Sequence, residues 1–165
     1  MSRLDSVIRR LRAQRDCLDV SVRLVADVPG PVLEFGLGNG RTYDHLRTLF
    51  PDREIFVFDR RIAAHPDCVP DAAHMLLGDF DDTMPGAGAR IGARAALAHF
   101  DVGSPDAAAN RALGERLVAL AAPLLAPGGV VVSDLELQAS AWSALALPDG
   151  VRAGRYFMYR VGGTG

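Results

Sequence analysis

Lysine is absent from this chain, and all 18 of its basic residues are arginine. Schiff-base formation and lysine-nucleophile chemistry are therefore excluded. Cysteine is nearly absent as well. Cys17 and Cys68 show no CxxC spacing and no metal-ligand partners, which predicts reduced packing thiols in a cytoplasmic protein. An excess of charge of either sign is also lacking: the net charge is −2 and the isoelectric point is near 6.0, so no electrostatic footprint for nucleic acid is present. No hydrophobic run suits a membrane span, because the most apolar stretch, 117–132, is interrupted by Pro123 and Pro127. The first residues, broken up by Arg3, Asp5, Arg9 and Arg10, do not read as a signal peptide. His45, His65, His74 and His99 lack ligand spacing, so no metal is expected. Internal repeats and low-complexity tracts are missing too.

What remains has ordinary globular composition, with 49% hydrophobic and 23% charged residues. At 165 residues the expectation is a single domain over 1–165, with an N-terminal helix in 1–28 and a core in 31–165. Leu4, Val7, Ile8, Leu11, Leu18, Val22 and Val25 recur at helical spacing, predicting an amphipathic helix over 2–26 stopped by Pro29-Gly30-Pro31. Arg9, Arg10, Arg12 and Arg15 read as its solvated face. Apolar runs predict strands at 32–35, 54–59, 75–80, 95–101 and 130–134. Helices are predicted at 42–50, weakly from Asp82, from the Ser104-Pro105-Asp106 start signal to about Leu125, and over 137–145. Pro66 and Pro70 leave room for only a turn of helix between Asp59 and His74. A β-rich run covers 155–161, and a short strand near Val151 is expected before it. This alternation predicts an α/β fold with a mainly parallel, doubly wound sheet.

The most informative segment is Val32-Leu33-Glu34-Phe35-Gly36-Leu37-Gly38-Asn39-Gly40, an acid-bearing strand that runs into three alternating glycines before a helix. Such a loop permits backbone angles forbidden to other residues and lets the chain approach a ligand above the strand's carboxyl end. The third glycine comes one residue earlier than in the dinucleotide fingerprint GxGxxG, giving ExGxGxG. Asp59, closing the second strand, follows Gly36 by 23 residues, near the spacing of a ribose-binding carboxylate. Leu76-Leu77-Gly78-Asp79-Phe80, Ala98-His99-Phe100-Asp101 and Pro127-Gly128-Gly129 with Val130 to Asp134 add three further strands closed by acids.

In this order the five motifs resemble the class I S-adenosylmethionine (SAM) dependent methyltransferases, and within them a group of small stand-alone members of unassigned substrate. The resemblance implies a Rossmann-like fold with an antiparallel C-terminal strand, SAM as cofactor and S-adenosylhomocysteine as product. It also implies cofactor contacts at Glu34, Gly36, Gly38, Asn39, Gly40, Tyr43, Asp59, Arg60, Asp79 and Phe80. Glu34 is then near the ammonium group of SAM, Asp79 at the adenine and Phe80 stacked on it. Acceptor contacts are expected above the central strands at His99, Asp101, Ser104, Ser133 and Asp134. Asp101 is the candidate general base or orienting group, and His99 is a second catalytic candidate whose alternative is a packed core histidine. No asparagine-proline motif follows the fourth strand, which speaks against DNA-adenine or glutamine methylation, and a small molecule is the default acceptor. A noncatalytic SAM-binding protein and a nicotinamide oxidoreductase are the rival readings. A homodimer formed through the N-terminal stripe, Tyr156 and Tyr159 is a further expectation.

Overall fold

The structure, a computed structural model, describes residues 2–163. Seven strands form one sheet: β1 (Val32–Phe35), β2 (Ile55–Asp59), β3 (Met75–Leu77), β4 (Ala95–Phe100), β5 (Leu125–Ser133), β6 (Trp142–Ala144) and β7 (Phe157–Val161). Their order is β3-β2-β1-β4-β5-β7-β6, and β7 runs antiparallel to both neighbours while the other pairs are parallel. The expected doubly wound sheet with an antiparallel C-terminal strand is therefore observed. Every residue of β1 and β4 is buried, Glu34 and His99 included, as the centre of a sheet covered on both faces requires.

Helix α1 (Arg3–Leu24) starts at a capping box in which Ser2 accepts from the Asp5 amide and Asp5 accepts from the Ser2 amide. Cys17 and Leu18 of α1 and Leu46 of α2 (Arg41–Leu49) pack on the face carrying Val32, Val57, Leu97 and Val132. The opposite face carries Leu33, Phe35, Phe58 and Phe100 under Leu117 and Ala121 of α5 (Ala107–Ala121). Phe35 stacks between Phe58 and Phe100, with ring centroids 4.6 and 4.4 Å away, across the three central strands. Two short helices, α3 (Phe80–Thr83) and α4 (Ala87–Ile91), cover the β3 side. Arg53 donates to the carbonyls of Val25, Val28 and Gly30, tying down the α1–β1 linker. Arg160 does the same for Leu24 and Gly128.

Several local expectations are corrected. The predicted helix over 137–145 is irregular chain followed by the short edge strand β6, because Trp142 to Ala144 pair with β7. Tyr159 also takes the Leu137 amide into a bond to its hydroxyl. No strand forms near Val151, whose amide closes a turn onto the Pro148 carbonyl. The cap of α5 is Asp106, which accepts from the Ala108 and Ala109 amides, whereas Ser104 accepts from the Asp106 amide. Pro127-Gly128-Gly129 does not end an element but forms an irregularity inside β5, where the register with β4 slips between Ala95 and Leu97. Tyr156 and Tyr159 lie in the core, fully and nearly fully buried, so neither presents a face to a partner.

Candidate active site

The carboxyl ends of β1, β2, β3 and β4 open into a cleft of about 350 Å³, within the range of small-molecule sites. Gly36, Gly38, Asp59, Arg60, Asp79 and Phe80 line it, and Asp101 lies on its β4 side. Six of the ten residues expected at the cofactor therefore converge in one place, together with the candidate catalytic aspartate. Asp81, Val102, Leu113 and Arg116 complete the wall, and none of them carries a motif by which the sequence marks it.

The glycines of the loop play three different parts. Gly36 has φ +95°, and a Cβ there would sit 2.7 Å from the Asp101 carbonyl oxygen, so this position holds β1 and β4 close together. Gly38 has φ +52° with open space where a Cβ would point, so its backbone borders the free volume of the cleft. Gly40, at φ +83°, would drive a Cβ to 2.5 Å from the Cys68 Cβ; it packs the loop against the short 3-10 turn Pro66–Cys68 rather than facing the cleft. Asn39 is exposed beside Asp59 and Arg60 on a neighbouring surface pocket.

Asp59 braces this loop. One carboxylate oxygen accepts from the Leu37 amide at 2.8 Å and the Gly38 amide at 3.2 Å, while the other accepts from Arg61 at 3.1 Å. Asp79 lies 3.7 Å from Arg60, both largely exposed. Phe80 meets Phe35 edge to face at 5.9 Å, so one side of its ring joins the aromatic stack while the residue still lines the cleft. Tyr43 is not at the cleft. It is buried under α1 and borders a different surface cavity with Arg47, Phe50 and His74.

Beneath the cleft runs a buried polar chain. Glu34 and His99 are register partners on adjacent parallel strands, which puts both side chains on the α1 face of the sheet. Glu34 Oε2 and His99 Nδ1 are 2.6 Å apart. His99 Nε2 is 3.0 Å from the Tyr156 hydroxyl, which accepts from Gln14 Nε2 at 2.8 Å. Gln14 Nε2 also donates to Asp101 Oδ2 at 2.9 Å, and Arg10 donates to Asp101 Oδ1 at 3.2 Å. The hydroxyl of Tyr156 can donate to a neutral His99 or accept from a protonated one, so it serves the ring in both states. Burial pushes the Glu34 carboxyl above its ordinary range, against the pull of His99. In His99 burial acts the other way, but the Glu34 charge and hydrogen bond, with Asp101 and Asp134 behind them, outweigh it and hold the ring above the usual histidine value. The Tyr156 hydroxyl is pushed far upward by burial and the surrounding carboxylates, so it stays protonated.

Of the other acceptor-site expectations, Asp134 accepts from the Val102 and Gly103 amides and shapes the loop after β4; burial and Asp101 raise its carboxyl above the usual range. Ser133 is fully buried and accepts from the Leu135 amide. Ser104 is occupied with Asn110 in the turn before α5. No cluster of side chains suited to a metal ion occurs among the described residues. No helix among them is long and apolar enough to cross a membrane.

The sheet order, the antiparallel β7, the glycine loop at the end of β1 and the acids that follow define a class I, Rossmann-like methyltransferase fold. The chain belongs to the S-adenosyl-L-methionine methyltransferase family, whose model matches residues 1–161. It is 43% identical to the S-adenosyl-L-methionine methyltransferase of Silicibacter pomeroyi DSS-3, over 98% of this chain and 99% of that one, with a TM-score of 0.91. More distant structures share the fold. Human methyltransferase-like protein 13 in complex with S-adenosylhomocysteine is 15% identical over 92% of this chain and 81% of its own, with a TM-score of 0.52. An O-methyltransferase family protein from Burkholderia thailandensis is 14% identical over 88% of this chain and 54% of its own, also with a TM-score of 0.52. No curated protein matches the sequence. The protein is thus an enzyme of SAM-dependent methyl transfer.

The residues present suit that cofactor. The open volume against the Gly38 backbone gives a ligand close access to the main chain, and Asp59, Asp79 and Phe80 offer two carboxylates and an aromatic ring along one wall.

Proposed function

We propose that the protein methylates a small-molecule acceptor bound over the ends of β4 and β5, with SAM along the β1–β3 side of the cleft. The observation that carries this reading is the placement of Asp101. It lines the same cleft as Gly36 and Gly38, yet both of its oxygens are held by α1, through Arg10 and Gln14. SAM supplies an electrophilic methyl group on a sulfonium, so the protein's task is to align the acceptor and take up its proton. A carboxylate tied by a cation and an amide is fixed in direction, which suits Asp101 to orienting an acceptor hydroxyl or amine and receiving its proton. His99 has no surface on the cleft and acts through Tyr156 and Gln14, as a positioning residue.

In this reading Gly36 and Gly38 form the floor under the cofactor, and Asp59 accepts the ribose hydroxyls while bracing the loop. Asp79 and Phe80 face the adenine. Arg60 and Asn39 flank the mouth, and Gly40 and Tyr43 support the loop from behind. Glu34 acts from below the methionine end: its second oxygen, Oε1, is buried without a partner among the described residues, a group that a water next to the cofactor's ammonium would satisfy. Free Cys17 and Cys68 support a reducing, cytoplasmic setting. Leu4, Val7 and Ile8, exposed on the first turns of α1, support pairing of two copies, for which light scattering showing a dimer is the check.

The test is calorimetric SAM binding combined with transfer of a labelled methyl group into a metabolite extract. Gly38→Val should abolish SAM binding in a folded protein, and Asp101→Asn should keep SAM binding but lose methyl transfer. Native SAM affinity in the valine variant, or full turnover by the asparagine variant, would overturn the assignment.

A further inference from the structure

A second cavity, of about 290 Å³, lies between α1 and the chain that leads into β7. Arg9 and Arg12 reach it from α1, and Arg152 and Arg155 from the turn before Tyr156. It shares no lining residue with the cofactor cleft, but the two are neighbours through α1. Arg10 and Gln14 on one side of the helix hold Asp101, while Arg9, Arg12 and Asp16 on the adjoining side line the second cavity.

The arginines on α1, taken alone, read as a solvated face. Two features of the fold separate them from that. First, segments some 140 residues apart in sequence bring four guanidiniums to one concave site. Two of the acidic groups on α1 are engaged elsewhere: Asp16 is paired with Arg15 at 3.0 Å through one oxygen, and Asp5, which attracts Arg9 from one turn away, is bonded to the amide and hydroxyl of Ser2. None of the four arginines makes a salt bridge or a side-chain hydrogen bond among the described residues. Second, Arg9, which lines the cavity, has its Nη2 buried without a hydrogen-bond partner among the described residues. A buried charged donor left unpaired is costly, and the shortage is of acceptors.

We infer that this cavity binds a small molecule through a phosphate or carboxylate group, with Arg9 as the inner contact and Arg152 and Arg155 closing over it. Guanidinium forks match the paired oxygens of either group. The anion then belongs to one of two sources, the methyl acceptor itself or a separate ligand of the enzyme.

The experiment titrates the full chain with inorganic pyrophosphate and, separately, citrate, read by calorimetry, with SAM binding as an independent control. Saturable binding with one site per chain is expected. It should weaken at least tenfold in Arg152→Gln/Arg155→Gln and in Arg12→Gln, with melting temperature and SAM affinity unchanged. Absence of saturable binding of either anion, or equal binding by all three proteins, would overturn the inference. Failure of the cofactor assignment would instead show as lost SAM binding in the parent protein, so the two cannot be confused. In a turnover assay with labelled SAM and extract, inhibition by the bound anion assigns the site to the acceptor, and turnover indifferent to it assigns the site to another ligand.

Discussion

Tyr156→Phe isolates the buried polar chain, because it deletes one oxygen and leaves the ring that fills the core. The hydroxyl sits between His99 Nε2, 3.0 Å away, and Gln14 Nε2, 2.8 Å away, in a residue with no exposure. Without it, one amide hydrogen of Gln14 and one ring nitrogen of His99 lose their partner where water does not reach. A buried group left unsatisfied costs about 1–3 kcal/mol, and the burial cost of the deleted hydroxyl is recovered in part, so a net loss of about 2 kcal/mol is expected. For a domain of this size that corresponds to a fall in melting temperature of about 4–8 °C. Thermal unfolding followed by circular dichroism measures it, with urea unfolding to confirm that the slope is unchanged. Gln14 also loses one of the two contacts that hold it against Asp101, so methyl transfer should fall more than SAM affinity. A variant that melts within about 1 °C of the parent would show that the chain contributes no net stability, and the reasoning would fail.

Asp59→Ala should weaken SAM binding by about 1.5–3 kcal/mol, the range for hydrogen bonds to a charged group; calorimetry showing less than a threefold change would place the ribose elsewhere. Arg53→Met keeps the apolar stem but removes three donors from the α1–β1 linker carbonyls, and should cost about 2–4 kcal/mol in urea unfolding. The proton held between His99 and Glu34 gives a pH signature. The unfolded chain releases it near the ordinary histidine value of 6.5 and the folded pair above it, so its stabilisation is complete below that pH and fades as pH rises through the raised value. Glu34→Gln should flatten this alkaline decline in the urea midpoint, and an unchanged pH profile would count against the pair. Burial pushes the Cys17 thiol up to about 12, so alkylation of the native protein at mildly alkaline pH should modify Cys68 first and reach Cys17 only on unfolding.

Local and periodic features of the sequence were enough to mark the parallel strands and the cofactor loop. Apolar runs mark β1 to β4, with an acid inside β1, one closing β2 and one after each of β3 and β4, since a parallel strand buried on both faces is largely apolar along its length. The spacing Gly36, Gly38, Gly40 marks the loop, since each position has a positive φ that other residues resist. The tail departs from its local signals where these compete with pairing: 137–145 carries helix-compatible residues, but the open edge of β7 and the Tyr159 hydroxyl supply bonds that an isolated helix would have to match. What the three glycines do individually, and which acids reach the cleft, depends on neighbours remote in the chain. Gly40 faces Cys68, and Glu34 turns down toward His99 because the register of β1 on β4 puts both on one face. Asp101 was visible as a strand-end acid, but its holders, Arg10 and Gln14, are 91 and 87 residues away. No pattern in α1 distinguishes these two from residues of a solvated stripe. Only the packing of α1 across the carboxyl ends of the strands, beside Tyr156, turns that stripe into one wall of the site.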